Sequence, residues 1–325
     1  MNGLFSGRGV VSLAALIGLA FSTQAADLKK MTIATGVDPS FSQFYVAKQA
    51  GIFEKNGLDV QVNTGPSGSA MVAFLIGNQI NAAYGAEQAG ITAHAVDPNV
   101  VAVADGVTLT RWLSVVGSKD VPSLDALKGK KIGVARGTGS ETFWNAVIKA
   151  KKLNPSDYEI VNVEAPEMVA AIERGNIDAF AIWEPWPTRA MQAVKGTQII
   201  ATNETIFTNH NFIYMNKSWI AENEDTSKRF VTSLLEATDF IKANPDKAAG
   251  MVSAFLKQPE ALVKELMPKV NHTMELTDTT RSNIQVAIDQ LNAAGKLKKP
   301  VTANEMILPD LLKSVKADAV TVKMD

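Results

Sequence analysis

The sequence of 325 residues contains no cysteine, and this absence removes several kinds of chemistry at once. A chain without thiols has no cysteine nucleophile, no cysteine-based zinc site and no disulfide. It also lacks the lipid-modified cysteine that would follow a lipoprotein signal. Any stability must therefore come from an ordinary hydrophobic core, for which a chain of this length and 46% hydrophobic content is sufficient.

The sequence also has few histidines and almost no net charge. The three histidines, His94, His210 and His272, are far apart in the sequence, and neither G-x-S-x-G nor H-E-x-x-H occurs. We therefore predict no catalytic residues, no metal site and no cofactor. A formal net charge of −1 gives no reason to expect a nucleic-acid partner.

Long apolar runs are missing as well. The apolar run at residues 10–21 is shorter than the ~20 residues that a membrane-spanning helix needs. It follows a basic residue and precedes Thr23 and Ala25, which form an A-x-A-like cleavage site. We expect residues 1–25 to be a signal peptide and the exported chain, with neither anchor nor lipid, to be periplasmic.

What the sequence does contain is an alternation of short apolar segments with helix-length segments. The predicted strands are residues 31–35, 58–62, 80–85, 100–105, 112–117, 131–135, 158–163 and 177–183. The predicted helices between them include residues 44–56, 69–77, 141–152 and 167–174. This alternation indicates an α/β fold with mostly parallel sheets.

The chain also repeats itself. A shift of 101 residues aligns KKMTIATG (29–36) with KKIGVARG (130–137), and a shift of 97 aligns residues 71–87 with 168–184. In the second alignment Asn78 lies opposite Gly175, the two residue types that best tolerate a left-handed helix end. Two similar units in one order predict two lobes built on one plan.

The ends of the predicted strands indicate where a ligand would bind. In open parallel sheets, ligands bind beyond the carboxyl ends of the strands, and Glu87 and Glu184 follow two such strands. The loops at residues 36–43 and 137–141 reach the same edge. Two lobes that face each other across this edge would form a cleft.

The loop ARGTGSE (135–141) has two possible roles. Its glycines and hydroxyls precede a helix, so backbone amides and the positive end of the helix dipole would attract an anion. Alternatively, Ser140 only caps the helix. The missing third glycine and the missing Gly-Lys-Ser/Thr exclude a dinucleotide fingerprint and a P-loop. GPSGSA (65–70) offers a second loop of the same kind.

Together these motifs resemble a known family. The similarity covers nearly the whole mature chain and is carried by residues 44–60, 75–81, 123–141 and 170–186. The chain resembles the periplasmic substrate-binding proteins of the nitrate/sulfonate/taurine class, which includes binding proteins for thiamine-pyrimidine precursors. The resemblance implies a bilobal, type II periplasmic-binding-protein fold that closes on a small solute and docks on the membrane subunits of an ATP-binding-cassette (ABC) importer. We expect a monomer.

The resemblance also implies boundaries and site residues. Lobe one would comprise residues 27–112 plus 217–325 and lobe two residues 113–216, with crossings near 111–116 and 212–219. The ligand-contacting loops map onto Asp38, Ser40, Phe41, Ser42, Gly68, Ser69, Tyr84, Glu87, Thr138, Gly139, Ser140, Trp183 and Glu184.

Two departures from relatives affect the expected ligand. Phe41 offers a flat apolar face where some relatives have histidine, which suits an organic molecule better than nitrate. Glu87 would repel a simple anion unless it meets a ligand cation or a protein base such as Arg111. We expect a small organic anion, sulfonate-like and optionally carrying an amine. The alternatives are a heterocycle stacked on Phe41 or Trp183, or a related pyrimidine-synthesising enzyme, although that enzyme needs a cytosolic chain with reactive cysteines.

Overall fold

The computed structural model describes residues 28–324, and within them eleven strands form two separate sheets. The predicted signal peptide, residues 1–25, lies outside the described residues. Across residues 28–324, no helix has both the length and the apolar character needed to cross a membrane.

All eight predicted strands are present, and the structure adds three more. The strands are β1 Lys29–Thr35, β2 Leu58–Thr64, β3 Ala82–Ala86, β4 Val100–Leu109, β5 Leu113–Gly117, β6 Lys131–Val134, β7 Glu159–Asn162, β8 Ala179–Trp183, β9 Gln198–Thr202, β10 Asn209–Asn216 and β11 Val270–Glu275. The strands β9, β10 and β11 were not predicted. They follow the last segment in which the strand–helix alternation is clear.

The helices agree with the predicted segments, with one break. They are α1 Ser42–Gln49, α2 Ile52–Lys55, α3 Gly68–Val72, α4 Glu87–Val96, α5 Gly139–Ala150, α6 Met168–Glu173, α7 Trp186–Ala193, α8 Lys217–Glu222, α9 Glu224–Ala243, α10 Pro245–Leu256, α11 Glu260–Leu266, α12 Asp278–Ala293, α13 Ala303–Met306 and α14 Pro309–Val315. The single helix predicted over 44–56 is divided because Gly51 adopts φ 68°, a left-handed conformation that interrupts a helix.

The two sheets share one strand order, as the internal repeat predicts. The first sheet runs β2-β1-β3-β10-β4-β11 and the second runs β7-β6-β8-β5-β9. In each sheet the first three strands are parallel and the next two are antiparallel to their neighbours. Asn78 (φ 58°) and Gly175 (φ 72°) both adopt the left-handed conformation that their alignment suggested.

Two expectations need correction. The sheets are mixed rather than mostly parallel, because the strand that enters each lobe after a crossing, β5 or β10, lies antiparallel beside β8 or β3. In addition, β10 belongs to the first sheet, so the second crossing is residues 203–208 and not 212–219. We therefore use "lobe one" for residues 28–109 and 209–324, and "lobe two" for residues 113–202.

The core of lobe one supports the edge of the sheet that faces lobe two. Phe230 of α9 packs against Phe44 of α1 and stacks on Phe53 of α2, with ring centroids 5.8 and 6.0 Å away. All three side chains are fully buried. This packing fixes α1, and therefore the loop that leads into α1 from the end of β1.

Candidate functional site

A cavity lies between the two lobes, beyond the ends of β1, β3, β6 and β8. Residues of both lobes line it, and small-molecule sites occur preferentially at such interfaces between domains. The lining residues are Asp38, Ser40, Phe41, Ser67, Gly68, Ser69, Ala86, Trp112, Leu113, Thr138, Gly139, Trp183, Asn209 and Asn211. Eight of them were predicted from the sequence.

The loop after β1 places a carboxylate on the cavity. Asp38 caps a short 3₁₀ helix, and its Oδ1 accepts hydrogen bonds from the Ser40 backbone N (2.9 Å) and Ser40 Oγ (2.5 Å). Ser40 Oγ in turn accepts from Asn211 Nδ2 of β10 (3.0 Å). Because the chain of bonds runs from strand to loop, Asp38 is held in a fixed orientation at the cavity.

Phe41 and the start of α3 form the adjoining wall. The Phe41 ring packs edge-on against Tyr84, with centroids 5.2 Å apart. Ser67 caps α3 by accepting from Ala70 N at 3.1 Å. Gly68 lies so close to β3 that a Cβ there would be 2.4 Å from the Tyr84 carbonyl oxygen, so only glycine allows this approach.

Lobe two contributes the start of α5. Thr138 caps the helix: its Oγ1 accepts from Ser140 N at 3.1 Å and donates to the Ala135 carbonyl oxygen at 2.7 Å. Thr138 and Gly139 line the cavity. The positive end of the dipole of this twelve-residue helix therefore lies at the cavity, where it favours negative charge.

Ser140 has a structural position and does not line the cavity, which corrects its prediction as an anion ligand. Its side chain is fully buried. Its Oγ accepts from Ala135 N (2.9 Å) and donates to the carbonyl oxygen of Ala181 in β8 (2.5 Å). Both hydrogen-bonding functions of the hydroxyl are thus used to join the loop to the sheet.

Glu184 and Arg111 are also placed away from the cavity. Glu184 is 2% exposed; its Oε1 pairs with Lys269 Nζ at 2.8 Å, and its Oε2 accepts from Thr188 N at 3.2 Å. Arg111 is largely exposed, and its Nε lies 3.6 Å from Glu204 in the other crossing. The expected role of Arg111 as the partner of Glu87 is therefore wrong.

Two further predicted residues support the cavity from behind. The hydroxyl of Ser42 donates to the Pro39 carbonyl oxygen inside the turn. The hydroxyl of Tyr84 donates to Gln43 Oε1 at 3.1 Å, and its ring holds Phe41. Neither side chain lines the cavity, because both are used to fix the loop that carries Asp38.

Glu87 lies at the start of α4 and faces a neighbouring groove rather than the cavity. Its Oε2 is 3.5 Å from Nδ2 of Asn209, and Asn209 is one of the residues that line the cavity. Burial raises the pKa of Glu87 to about 7, and the charge of nearby His210 opposes this shift. His210 Nδ1 lies 2.7 Å from Asp105 Oδ2, and burial also raises the pKa of Asp105.

The sequence reasoning missed six lining residues, which are Ser67, Ala86, Trp112, Leu113, Asn209 and Asn211. Trp112 and Leu113 lie at the first crossing, where their backbone N–H groups both donate to Asn203 Oδ1 of the second crossing at 3.0 Å. Asn209 and Asn211 have the period-two spacing of one strand face, a signal that becomes useful only once β10 is known to be a strand.

The electrostatics of the cavity are unusual for an anion site. Asp38 is the one lining residue with an ionisable side chain, and no lysine, arginine or histidine is among the lining residues. Burial raises the pKa of Asp38 to about 7, against the two hydrogen bonds from Ser40. Within residues 28–324, no group of three or more histidine and carboxylate side chains is arranged to hold a metal ion.

Comparison with known proteins gives relatives over most of the chain. A putative binding protein of Brucella abortus is 26% identical over 276 residues, covering 82% of this chain and 85% of that protein. The taurine-binding periplasmic protein of Escherichia coli is 26% identical over 267 residues, covering 78% and 76%. The alkanesulfonate-binding protein SsuA of Xanthomonas axonopodis bound to MOPS superposes with a TM-score of 0.76 at 18% identity, covering 88% and 100%.

The structural likeness confirms the predicted bilobal periplasmic-binding-protein fold. The family model described as NMT1/THI5 like matches residues 38–248, which is more than half of the chain and includes all fourteen residues that line the cavity. The chain therefore belongs to the NMT1/THI5-like family.

Proposed function

We propose that this protein is the solute-binding component of an ABC importer, and that it captures a small organic anion with a sulfonate-like group between its lobes. The observation that carries the proposal is the cavity itself, which both lobes enclose and at which α5 begins. The names of the relatives, a taurine-binding periplasmic protein and an alkanesulfonate-binding protein, support the same class of ligand.

The lining suggests a ligand with two chemically different ends. Backbone N–H groups and the helix dipole near Gly139 would hold the anionic group. Asp38 would accept a hydrogen bond from an amine at the other end of the ligand. The hydrogen bonds from Ser40 hold this carboxylate at the cavity, and no cationic side chain lines the cavity to pair with it. Phe41, Trp112 and Trp183 would contact the apolar atoms between these ends.

A second candidate ligand is a neutral or cationic heterocycle. The three aromatic side chains on the cavity, together with the absence of lysine, arginine and histidine from its lining, favour this alternative. Asp38 and the two asparagines, Asn209 and Asn211, would then pair with the ring nitrogens. In both cases the protein binds without chemical conversion, acts in the periplasm and delivers its solute to membrane subunits.

The first experiment is native mass spectrometry of the purified protein, to detect and identify a retained small molecule. We expect a retained solute to be recovered chemically unchanged after incubation. A modified product would contradict a binding role. Retention of a heterocycle without an acidic group would replace the sulfonate proposal with the second candidate.

The second experiment tests the two-ended ligand. Calorimetric titration with taurine and with ethanesulfonate compares an anion with and without an amine, and we expect taurine to bind more tightly. Asp38→Asn should weaken taurine binding by about 10- to 100-fold, because a charged hydrogen bond is lost. It should leave ethanesulfonate binding unchanged or stronger.

The control is Asp120→Asn, which removes an exposed carboxylate in the loop after β5. It should change neither affinity. If Asp38→Asn affects both sulfonates equally, then Asp38 does not contact the amine.

A further inference from the structure

An ion pair joins the two lobes beside the cavity. Glu184 follows β8 of the second sheet, whereas Lys269 precedes β11 of the first sheet. Their side chains meet at 2.8 Å, from Lys269 Nζ to Glu184 Oε1. The carboxylate side chain is 3% exposed and the lysine side chain is 27% exposed.

Lobe two holds Glu184 in place independently of the lysine. Its Oε2 accepts from Thr188 N, and its own backbone N donates to the Trp112 carbonyl oxygen at 3.0 Å. Glu184 therefore adjoins both tryptophans of the cavity: Trp183 precedes it in the chain, and Trp112 is bonded to it. A shift of Glu184 would be transmitted directly to both.

The ion pair depends on the relative position of the lobes. Lys269 and Glu184 belong to different lobes and both lie next to the first crossing, where Val270 pairs with Leu109 and Glu184 bonds to Trp112, so a rotation of the lobes about this crossing would change their 2.8 Å separation. If the lobes separated, the buried carboxylate would lose its cationic partner, and an unpaired buried charge is costly. The pair thus favours the closed arrangement over an open one.

Other contacts between the lobes lie away from the cavity lining. Gln88 Nε2 donates to Thr142 Oγ1, and Lys296 Nζ pairs with Glu141 Oε2 at 2.5 Å. None of these four residues is a neighbour of the two tryptophans in the sequence. The Lys269–Glu184 pair is therefore the contact whose loss would act most directly on the walls of the cavity.

We propose that Lys269 is a positioning residue for solute binding: acting through Glu184, it holds the lobes closed and sets the two tryptophan walls of the cavity. This inference rests on the proposed function, because it concerns the affinity of the same cleft. Lys269 does not line the cavity and is not assigned any contact with the solute.

The test is a double-mutant cycle with Lys269→Met, Glu184→Gln and the double variant. Affinity is measured by calorimetry with taurine as the probe, and lobe opening by small-angle X-ray scattering without solute. We expect Lys269→Met to weaken taurine binding by about 10-fold, within the usual range of coupling between sites, and to raise the radius of gyration. The double variant should bind no more weakly than Lys269→Met alone.

Two further variants separate this role from a general structural effect. Lys269→Arg keeps a cation and should recover most of the affinity and the closed scattering profile. Lys264→Met removes a lysine whose ion pairs, with Asp246 and Glu260, lie within lobe one, and it should change neither measurement.

The proposal fails if Lys269→Met behaves like Lys264→Met in both measurements. It also fails if the double variant loses affinity, relative to the parent, by the product of the two single losses, because the two residues would then act independently. If the parent protein does not bind taurine, the proposed ligand is wrong. The scattering comparison of Lys269→Met with the parent then decides the role of Lys269 in closure, because it needs no solute.

Discussion

Glu87 and Glu184 occupy matching positions in the internal repeat, yet the structure gives them different environments. Each follows a fully buried central strand, β3 or β8, and each side chain is itself buried. Glu184 has a lysine from the opposite lobe as its partner. Glu87 has the amide of Asn209 at 3.5 Å and lies near His210, within its own lobe.

The difference shows that a repeated backbone plan does not repeat its electrostatics. Strand and turn are set by neighbouring residues, so both copies place a carboxylate at a strand end. The partner of that carboxylate comes from a distant part of the chain: Lys269 is 85 residues from Glu184 and Asn209 is 122 residues from Glu87. The carboxylate of one copy therefore joins the lobes, whereas the carboxyl of the other is buried inside one lobe with a raised pKa.

The largest expected effect follows from the raised pKa of Glu87. In the folded protein burial raises the pKa of this carboxyl to about 7, from its ordinary value of 4.5. Between these values the unfolded chain releases its proton first, so stability falls as pH rises from 4.5 to 7 and is level above 7. Glu87→Gln removes this loss, so at pH 8 its free energy of unfolding should exceed that of the parent by about 3 kcal/mol.

Urea unfolding at pH 5 and pH 8 measures this difference, and at pH 5 the gain should fall to about 1 kcal/mol or less because the folded carboxyl is still protonated there. The similar shift of Asp38 is present in both proteins and cancels. Glu184→Gln is the matched control, and it should lower stability at pH 8 because it removes an ion pair. If both variants shift stability in the same direction, the contrast between the two carboxylates is not real.

The next effect sharpens the comparison between the loops after β1 and β6. Ser140→Ala should lower the free energy of unfolding by about 2 kcal/mol, because it removes the hydroxyl that accepts from the N–H of Ala135 and donates to the carbonyl oxygen of Ala181. Solute affinity should be unchanged. Thermal or urea unfolding together with calorimetry checks both parts.

Ser69→Ala is the matched variant in lobe one, where the serine lines the cavity. It should leave stability nearly unchanged, and any effect on affinity should exceed that of Ser140→Ala. A Ser140→Ala protein of normal stability but weak binding would restore Ser140 as an anion ligand.

The smallest effect concerns Arg111, which pairs with Glu204 on the surface at 3.6 Å. Arg111→Ala should change the free energy of unfolding by less than about 0.5 kcal/mol, as is usual for exposed ion pairs. It should also leave the pH dependence of stability between pH 5 and pH 8 as in the parent. A changed pH dependence would mean that Arg111 interacts with Glu87 after all.

The features that depend on neighbouring residues could be predicted from the sequence. The strand–helix alternation, the left-handed conformations of Asn78 and Gly175, and the loops that carry Asp38 and Thr138 all follow from local patterns. The same patterns carried the family resemblance, and eight of the fourteen lining residues followed from it.

The contacts that those elements make could not be predicted, because they depend on the packing of segments far apart in the chain. The antiparallel insertion of β10 between β3 and β4 brought Asn209 and Asn211 to the cavity and moved the second crossing to residues 203–208. Packing of the lobes places Lys269 beside Glu184. It places Arg111 beside Glu204 and not beside Glu87. A side chain's charge and hydrogen-bonding capacity follow from its residue type. Its partner depends on the long-range packing of strands and lobes, which no local sequence pattern specifies.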